Sequence, residues 1–189
     1  MARSPKAGPT RIELITAPIG MQPGGYLKKA YAGRDQAVVT PNLELEVARP
    51  PGSWRLRLRW PCPEPVRDVS SDPSLFPDAA ALFAPQQEQS PWVTMGATGA
   101  GVDGVLWRAD AERLRTVSAE GLGTMKRGDA PESWRFTAAH AQGFWQLELT
   151  LPGWATLDRS GRVAAAVWRG AAQDRGGLKS VTPGWVEVA

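Results

Sequence analysis

From Trp54 to Trp60 apolar and charged residues alternate without a slip: Trp54, Leu56, Leu58 and Trp60 fall on one side, Arg55, Arg57 and Arg59 on the other. A period of two marks a strand with one face in the core and the other wet or meeting acid. The same alternation runs through Leu43, Leu45 and Val47 against Glu44, Glu46 and Ala48, in a stretch from Gln36 to Val47 that Pro41 splits into two strand-like pieces. Further strands are predicted at Val105–Trp107, Trp134–Ala138, Phe144–Leu151 and Val163–Trp168, with Gly, Asp and Pro turns between them. Val163–Trp168 reads as buried on both faces, Pro91–Met95 as a brief extended piece and Trp185–Val188 as a closing strand. Phe76–Phe83 predicts a short helix, with Pro77 and Asp78 at its start and an alanine-rich body. Pro61–Pro73 is too rich in proline for regular structure.

This rhythm, almost free of helical periodicity, predicts an all-β chain: an antiparallel β-sandwich with one or two short helices and long loops, not alternating βαβ units. Residues 1–35, rich in Gly and Pro with one apolar stretch at Ile12–Ile15, predict an irregular arm with one edge strand, able to lie on a partner. Residues 36–189 predict a single sandwich domain without internal repeats.

Composition narrows the chemistry. With 189 residues and 42% hydrophobic content there is enough apolar material for one core, and nine tryptophans make it tryptophan-heavy. The net charge of +3 is interspersed, with no block of like charge to track a nucleic acid. Cys62 is the single cysteine and His140 the single histidine. That excludes an internal disulfide, a CxxC site, a covalently attached haem, a cysteine-ligated iron–sulfur cluster, the usual zinc sites and a bis-histidine haem within one chain. The start carries no apolar targeting segment and no 18-residue apolar run occurs, which predicts a soluble chain, intracellular or already processed, without a membrane span. Gly99-x-Gly101-x-x-Gly104 matches the dinucleotide fingerprint by letters, but the residues that follow read as a strand where the fingerprint needs a helix. No G-x-S-x-G occurs and the carboxylates are scattered, so hydrolysis has little support. The stripe Arg55, Arg57, Arg59 reads first as a solvated or partner-facing surface.

Two residues remain. Lys179, one of only five lysines against seventeen arginines, sits between apolar neighbours just ahead of the closing strand; by itself it reads as a lysine snorkelling at a strand end. Met95, in Trp-Val-Thr-Met-Gly, by itself reads as a core methionine filling a gap.

Their flanks add a resemblance. Phe76-Pro-Asp78-Ala-Ala-Ala-Leu-Phe83, Pro91-Trp-Val-Thr-Met95-Gly96, Val105-Leu-Trp107, Gly143-Phe-Trp145, Ala166-Val-Trp168-x-Gly170 and Arg175-Gly-Gly-Leu-Lys179-Ser follow one another from about residue 37 to the end. In this order they resemble the haem b-binding γ subunits of the type II dimethyl-sulfoxide-reductase-like molybdenum enzymes, the group that contains ethylbenzene and dimethyl sulfide dehydrogenases and chlorate and selenate reductases. The resemblance implies a β-sandwich holding one non-covalent haem b through Met95 and Lys179 as metal ligands, with Gly96 and Trp168 among the residues that wall the cofactor. It implies an electron-transfer subunit without substrate chemistry of its own, in a heterotrimer with an iron–sulfur β subunit and a molybdopterin-carrying α subunit, passing electrons to or from a carrier such as cytochrome c. It also implies a periplasmic location, for a chain that starts without an export signal. Arg169, Arg175 and the arginine stripe are alternative partners for the haem propionates. The competing reading is a haem-free sandwich that serves as a binding or assembly module, carbohydrate-binding-like.

Overall fold

The computed structural model describes residues 8–18, 38–70, 72 and 74–189. Thirteen strands lie among them: β1 Thr10–Glu13, β2 Ile15–Thr16, β3 Asn42–Ala48, β4 Ser53–Pro61, β5 Ala79–Pro85, β6 Val102–Arg108, β7 Arg115–Ala119, β8 Lys126–Asp129, β9 Arg135–Ala141, β10 Phe144–Pro152, β11 Arg162–Trp168, β12 Ser180–Val181 and β13 Val186–Glu187. One short helix, α1, covers Ala155–Ser160. The strands form two antiparallel sheets: β1-β3-β4-β10-β9, and β2-β12-β11-β5-β6-β7-β8 with β13 beside β11. The all-β sandwich that the alternation predicts is the fold.

The first sheet is two-faced. β10 pairs with β4 so that Trp145, Leu147, Leu149 and Leu151 oppose Trp60, Leu58, Leu56 and Trp54 on the inner face. On the outer face Arg57 lies between Glu46 and Glu148, and Arg59 meets Glu44 while lying over the Phe144 ring. The arginine stripe is therefore a charge ladder paired within its own sheet, worth little to stability at this exposure.

The second sheet is apolar on both faces, which decides where a ligand could sit. Its inner face, with Ala80, Leu82, Ala84, Val105, Trp107, Val163, Ala165 and Val167, packs on the first sheet, where Trp60, Trp107 and Trp145 meet edge to face or offset. Its outer face, with Ala79, Ala81, Phe83, Leu106, Val117, Ala164, Ala166 and Trp168, forms a second buried layer under the 91–101 segment, which contributes Trp92 and Met95.

Three local expectations are corrected. Phe76–Phe83 is not a helix: Ala79–Pro85 is the buried strand β5 at the centre of the second sheet. Its alanines suit a helix by propensity, but there they let two layers approach one strand from both sides. Pro91–Met95 is not extended: Met95 N–H donates to the Trp92 carbonyl (2.7 Å) and Gly96 N–H to that of Pro91 (2.7 Å), closing a tight turn. Of the two pieces predicted in Gln36–Val47, only the second is a strand; Val38–Thr40 is not, and the two residues before it lie outside the described ones. The predicted arm is described only over residues 8–18, where β1 and β2 join one sheet each.

Gly104 belongs to no loop. It sits within β6, and a Cβ there would come within 2.1 Å of the Leu82 carbonyl oxygen. No helix follows, so the fingerprint reading fails on its own condition. Gly104→Ala is expected to lower stability by roughly 1–3 kcal/mol through overpacking at the β5–β6 contact; urea unfolding of the variant against wild type checks it, and an unchanged midpoint would contradict the packing described.

Candidate functional site

A cavity of about 370 Å³ lies on the outer face of the second sheet. Strand register lays out its floor: Ala79 of β5 sits between Trp168 of β11 and Arg108 of β6, and Ala81 sits between Ala166 and Leu106. Methyl side chains on the central strand leave room above them that leucine or valine would fill. Phe76 and Pro77 form one wall, Leu122, Met125 and Arg127 another, and the 174–177 segment a third.

Met95 and Lys179 meet in this cavity. Their side chains, 7% and 6% exposed, come together with Lys179 Nζ donating to Met95 Sδ at 3.4 Å. Each arrives by an unusual route. Met95 closes the turn described above with φ of 57°, the left-handed conformation normally given to glycine at this position of a helical turn. Holding a side chain there costs on the order of 1–3 kcal/mol, and the structure spends it on placing a thioether in the cavity. Gly96 takes the next positive φ, 86°, where a Cβ would come within 3.0 Å of the Ala100 and Ala119 carbonyl oxygens; it shapes the turn behind Met95 and does not line the cavity. The Met95 carbonyl accepts from Gly121 N–H (3.0 Å), which ties the turn to the β7–β8 loop.

Lys179 precedes β12, and its carbonyl accepts from Ala17 N–H at 2.9 Å. Its ammonium lies 5.2 Å from the Trp168 ring centroid, and Trp168 Nε1–H donates to the Gly176 carbonyl, bracing the loop that leads to the lysine. No carboxylate among the described residues forms an ion pair with Lys179; Asp174, the acid in the cavity wall, accepts from Arg169 N–H. Burial alone brings the Lys179 amine down from 10.5 to about 8. Burial thus favours the neutral amine relative to an exposed lysine, and a neutral amine beside a thioether is a pair of metal donors.

The chain is similar to a dehydrogenase subunit. It is 25% identical over 190 residues to dimethylsulfide dehydrogenase subunit gamma of Rhodovulum sulfidophilum, covering 93% of this chain and 68% of that protein. No protein-family model matches the chain. Dimethyl sulfide dehydrogenase is among the enzymes whose γ subunits the sequence motifs resemble.

Of the predicted site residues, then, the fold brings Met95, Lys179 and Trp168 together and puts Gly96 behind the methionine. The arginine stripe is on the other sheet, and Arg169 is turned toward the Val39 carbonyl, away from the cavity lining. Arg175 does line it, stacked over Phe76 at 4.9 Å. Sequence reasoning missed Arg108, Arg127, Leu122 and Met125. Alternation along β6 puts Arg108 on the face of Leu106, a signal that was there to be used. β7 and β8 have too few apolar positions to mark them as strands, and Arg127 and Met125 were hidden with them.

A sign follows for stability. Between about pH 8 and 10.5 the unfolded chain binds the Lys179 proton and the folded chain does not, so stability rises with pH across that window. Lys179→Met should remove this slope and raise stability at pH 7 by roughly 1–3 kcal/mol, because it deletes a buried polar group without leaving a hole. Guanidinium melts of both proteins at pH 7 and pH 10 test this; equal slopes would contradict the burial of the amine.

Proposed function

We propose that this chain is an electron-transfer subunit that binds one non-covalent haem b in the second-sheet cavity, with Met95 and Lys179 as the residues that would ligate its iron. The observation that carries the reading is the pair itself: a thioether and an amine with no carboxylate partner among the described residues, 84 positions apart in sequence, buried and facing one another in the cavity. The donor set fits the group. Both side chains can ligate iron, Ala79 and Ala81 leave room above the central strand, and Arg127 and Arg175 stand in the walls as cations for acidic substituents, while Arg108 is held by Asp110.

The residues divide the work. Lys179 binds as the free amine, which its dry surroundings favour. Met95 offers a soft, uncharged donor from a turn that holds it in one place. Their atoms are in contact, so a ligand entering between them has to part them. Trp168, Leu106, Phe83 and Val117 keep water from the floor. A haem held there supplies a one-electron couple, whose potential a thioether ligand raises.

In this reading the chain has no substrate chemistry. It docks on an iron–sulfur β subunit joined to a molybdopterin α subunit in the periplasm, and exchanges electrons with an external carrier such as cytochrome c. Similarity to a dehydrogenase γ subunit supports the subunit role.

The test is a hemin titration of the purified chain, with spectra taken oxidised and after dithionite. Wild type is expected to give b-type Soret and α bands, and Met95→Ala and Lys179→Ala to shift or lose them. Since the amine must shed its proton to bind, affinity should fall by up to about tenfold per pH unit below pH 8 and level off above it. A folded wild type that leaves the spectrum of free hemin unchanged would sink this reading and put the haem-free binding or assembly module in its place.

A further inference from the structure

Asp78 is fully buried, immediately ahead of the floor residue Ala79, yet it does not line the cavity. One carboxylate oxygen, Oδ1, accepts from Gly170 N–H at 2.8 Å. The other, Oδ2, accepts from Val66 N–H at 2.9 Å and from Trp145 Nε1–H at 2.8 Å, with Cys62 Sγ at 3.4 Å. The Asp78 backbone adds an N–H bond to the Val66 carbonyl and accepts from Ala109 N–H. These partners come from separate stretches of chain. Val66 belongs to the proline-rich loop that ends in the Phe76–Pro77 wall. Gly170 opens the segment that runs through Asp174 and Arg175 to Lys179.

The two stretches press together where Asp78 holds them. A Cβ on Gly170 would come within 1.8 Å of the Phe76 carbonyl oxygen, so backbone lies directly on backbone. At the mouth Arg175 covers the Phe76 ring. Resting on the haem-site reading above, we propose that Asp78 is the positioning residue for Lys179: it pins the base of the 170–178 segment to the Phe76 wall, and so presents the amine opposite Met95.

The chemistry explains why a carboxylate stands there. Donors approach both oxygens, and only a group that accepts at both can satisfy them. An asparagine can turn its oxygen toward Val66 and Trp145 or toward Gly170, and in either pose its NH₂ faces an N–H donor. Turning toward the two donors is the better choice, which leaves Gly170 unpaired and frees the loop base on the Lys179 side.

The experiment compares wild type, Asp78→Asn, Lys179→Ala, the double variant and Trp145→Phe, using hemin as the probe and hydrogen exchange on the ligand-free chain. Asp78→Asn is expected to bind hemin about tenfold more weakly, to show the spectrum of Lys179→Ala at saturation, and to exchange faster over residues 170–179 than over 91–96. In the Lys179→Ala background it should cost no further affinity. Trp145→Phe removes a donor from Oδ2 alone, so it should lose stability and keep the wild-type spectrum. The proposal is overturned if Asp78→Asn keeps that spectrum, if its loss is as large in the Lys179→Ala background, or if Trp145→Phe reproduces it. Unchanged exchange over 170–179 overturns it whatever hemin does. If wild type and Lys179→Ala bind hemin alike, lysine ligation itself fails, and the exchange result alone then decides the role of Asp78. Asp78→Ser, smaller and with a hydroxyl hydrogen that can rotate away from the N–H donors, serves for the same comparisons if Asp78→Asn does not fold.

Discussion

The second sheet carries apolar side chains on both faces, and most of the architecture follows from the need to cover the second of them. The inner face is met by the first sheet. The outer face is met by pieces of chain that are not sheet: the 91–101 segment, the 120–125 loop and the run from 169 to 179. Such pieces cover a surface without filling it to the density of a sandwich core. Over the alanines of β5 they leave open space, and that space is the site.

What occupies its lining is costly in the absence of a use. A lysine amine is buried with no carboxylate partner among the described residues, and a methionine is held in a glycine's backbone conformation. Either alone could pass as a local accident of packing. Both costs fall on the two atoms that touch, and strain gathered at one point of a fold argues for function there. The aromatic core between the sheets, by contrast, is conventional: its indoles are stacked or edge-on.

The fold was legible where one face is wet. β4 and β10 announce themselves because solvent and core impose opposite demands on neighbouring residues. β5 was misread because burial on both faces erases that contrast, and its alanines then speak only through helix propensity. β8 went unread for the opposite reason, since Lys126 to Asp129 are all exposed and carry no apolar signal, and β7 offers only Val117 and Ala119 as buried apolar positions. The site was legible unevenly. Met95 and Lys179 were picked out through the motifs around them, and no periodicity could have joined two positions so far apart. Arg127 could not be placed without β8, and Asp78, read as the start of a helix, turned out to organise a junction that only the tertiary structure brings into being.

The short stretch 8–18 contributes β1 to one sheet and β2 to the other, and ends with Ala17 holding the carbonyl of Lys179. In mechanical terms it is a strap sewn across the seam of the sandwich, with its last stitch at the site. Tension on the chain ahead of residue 8 would load β1 in shear along four residue pairs before it reached the two pairs of β2. The lysine is thereby shielded from pulling by the longer strand, and would be disturbed only after β1 had peeled away.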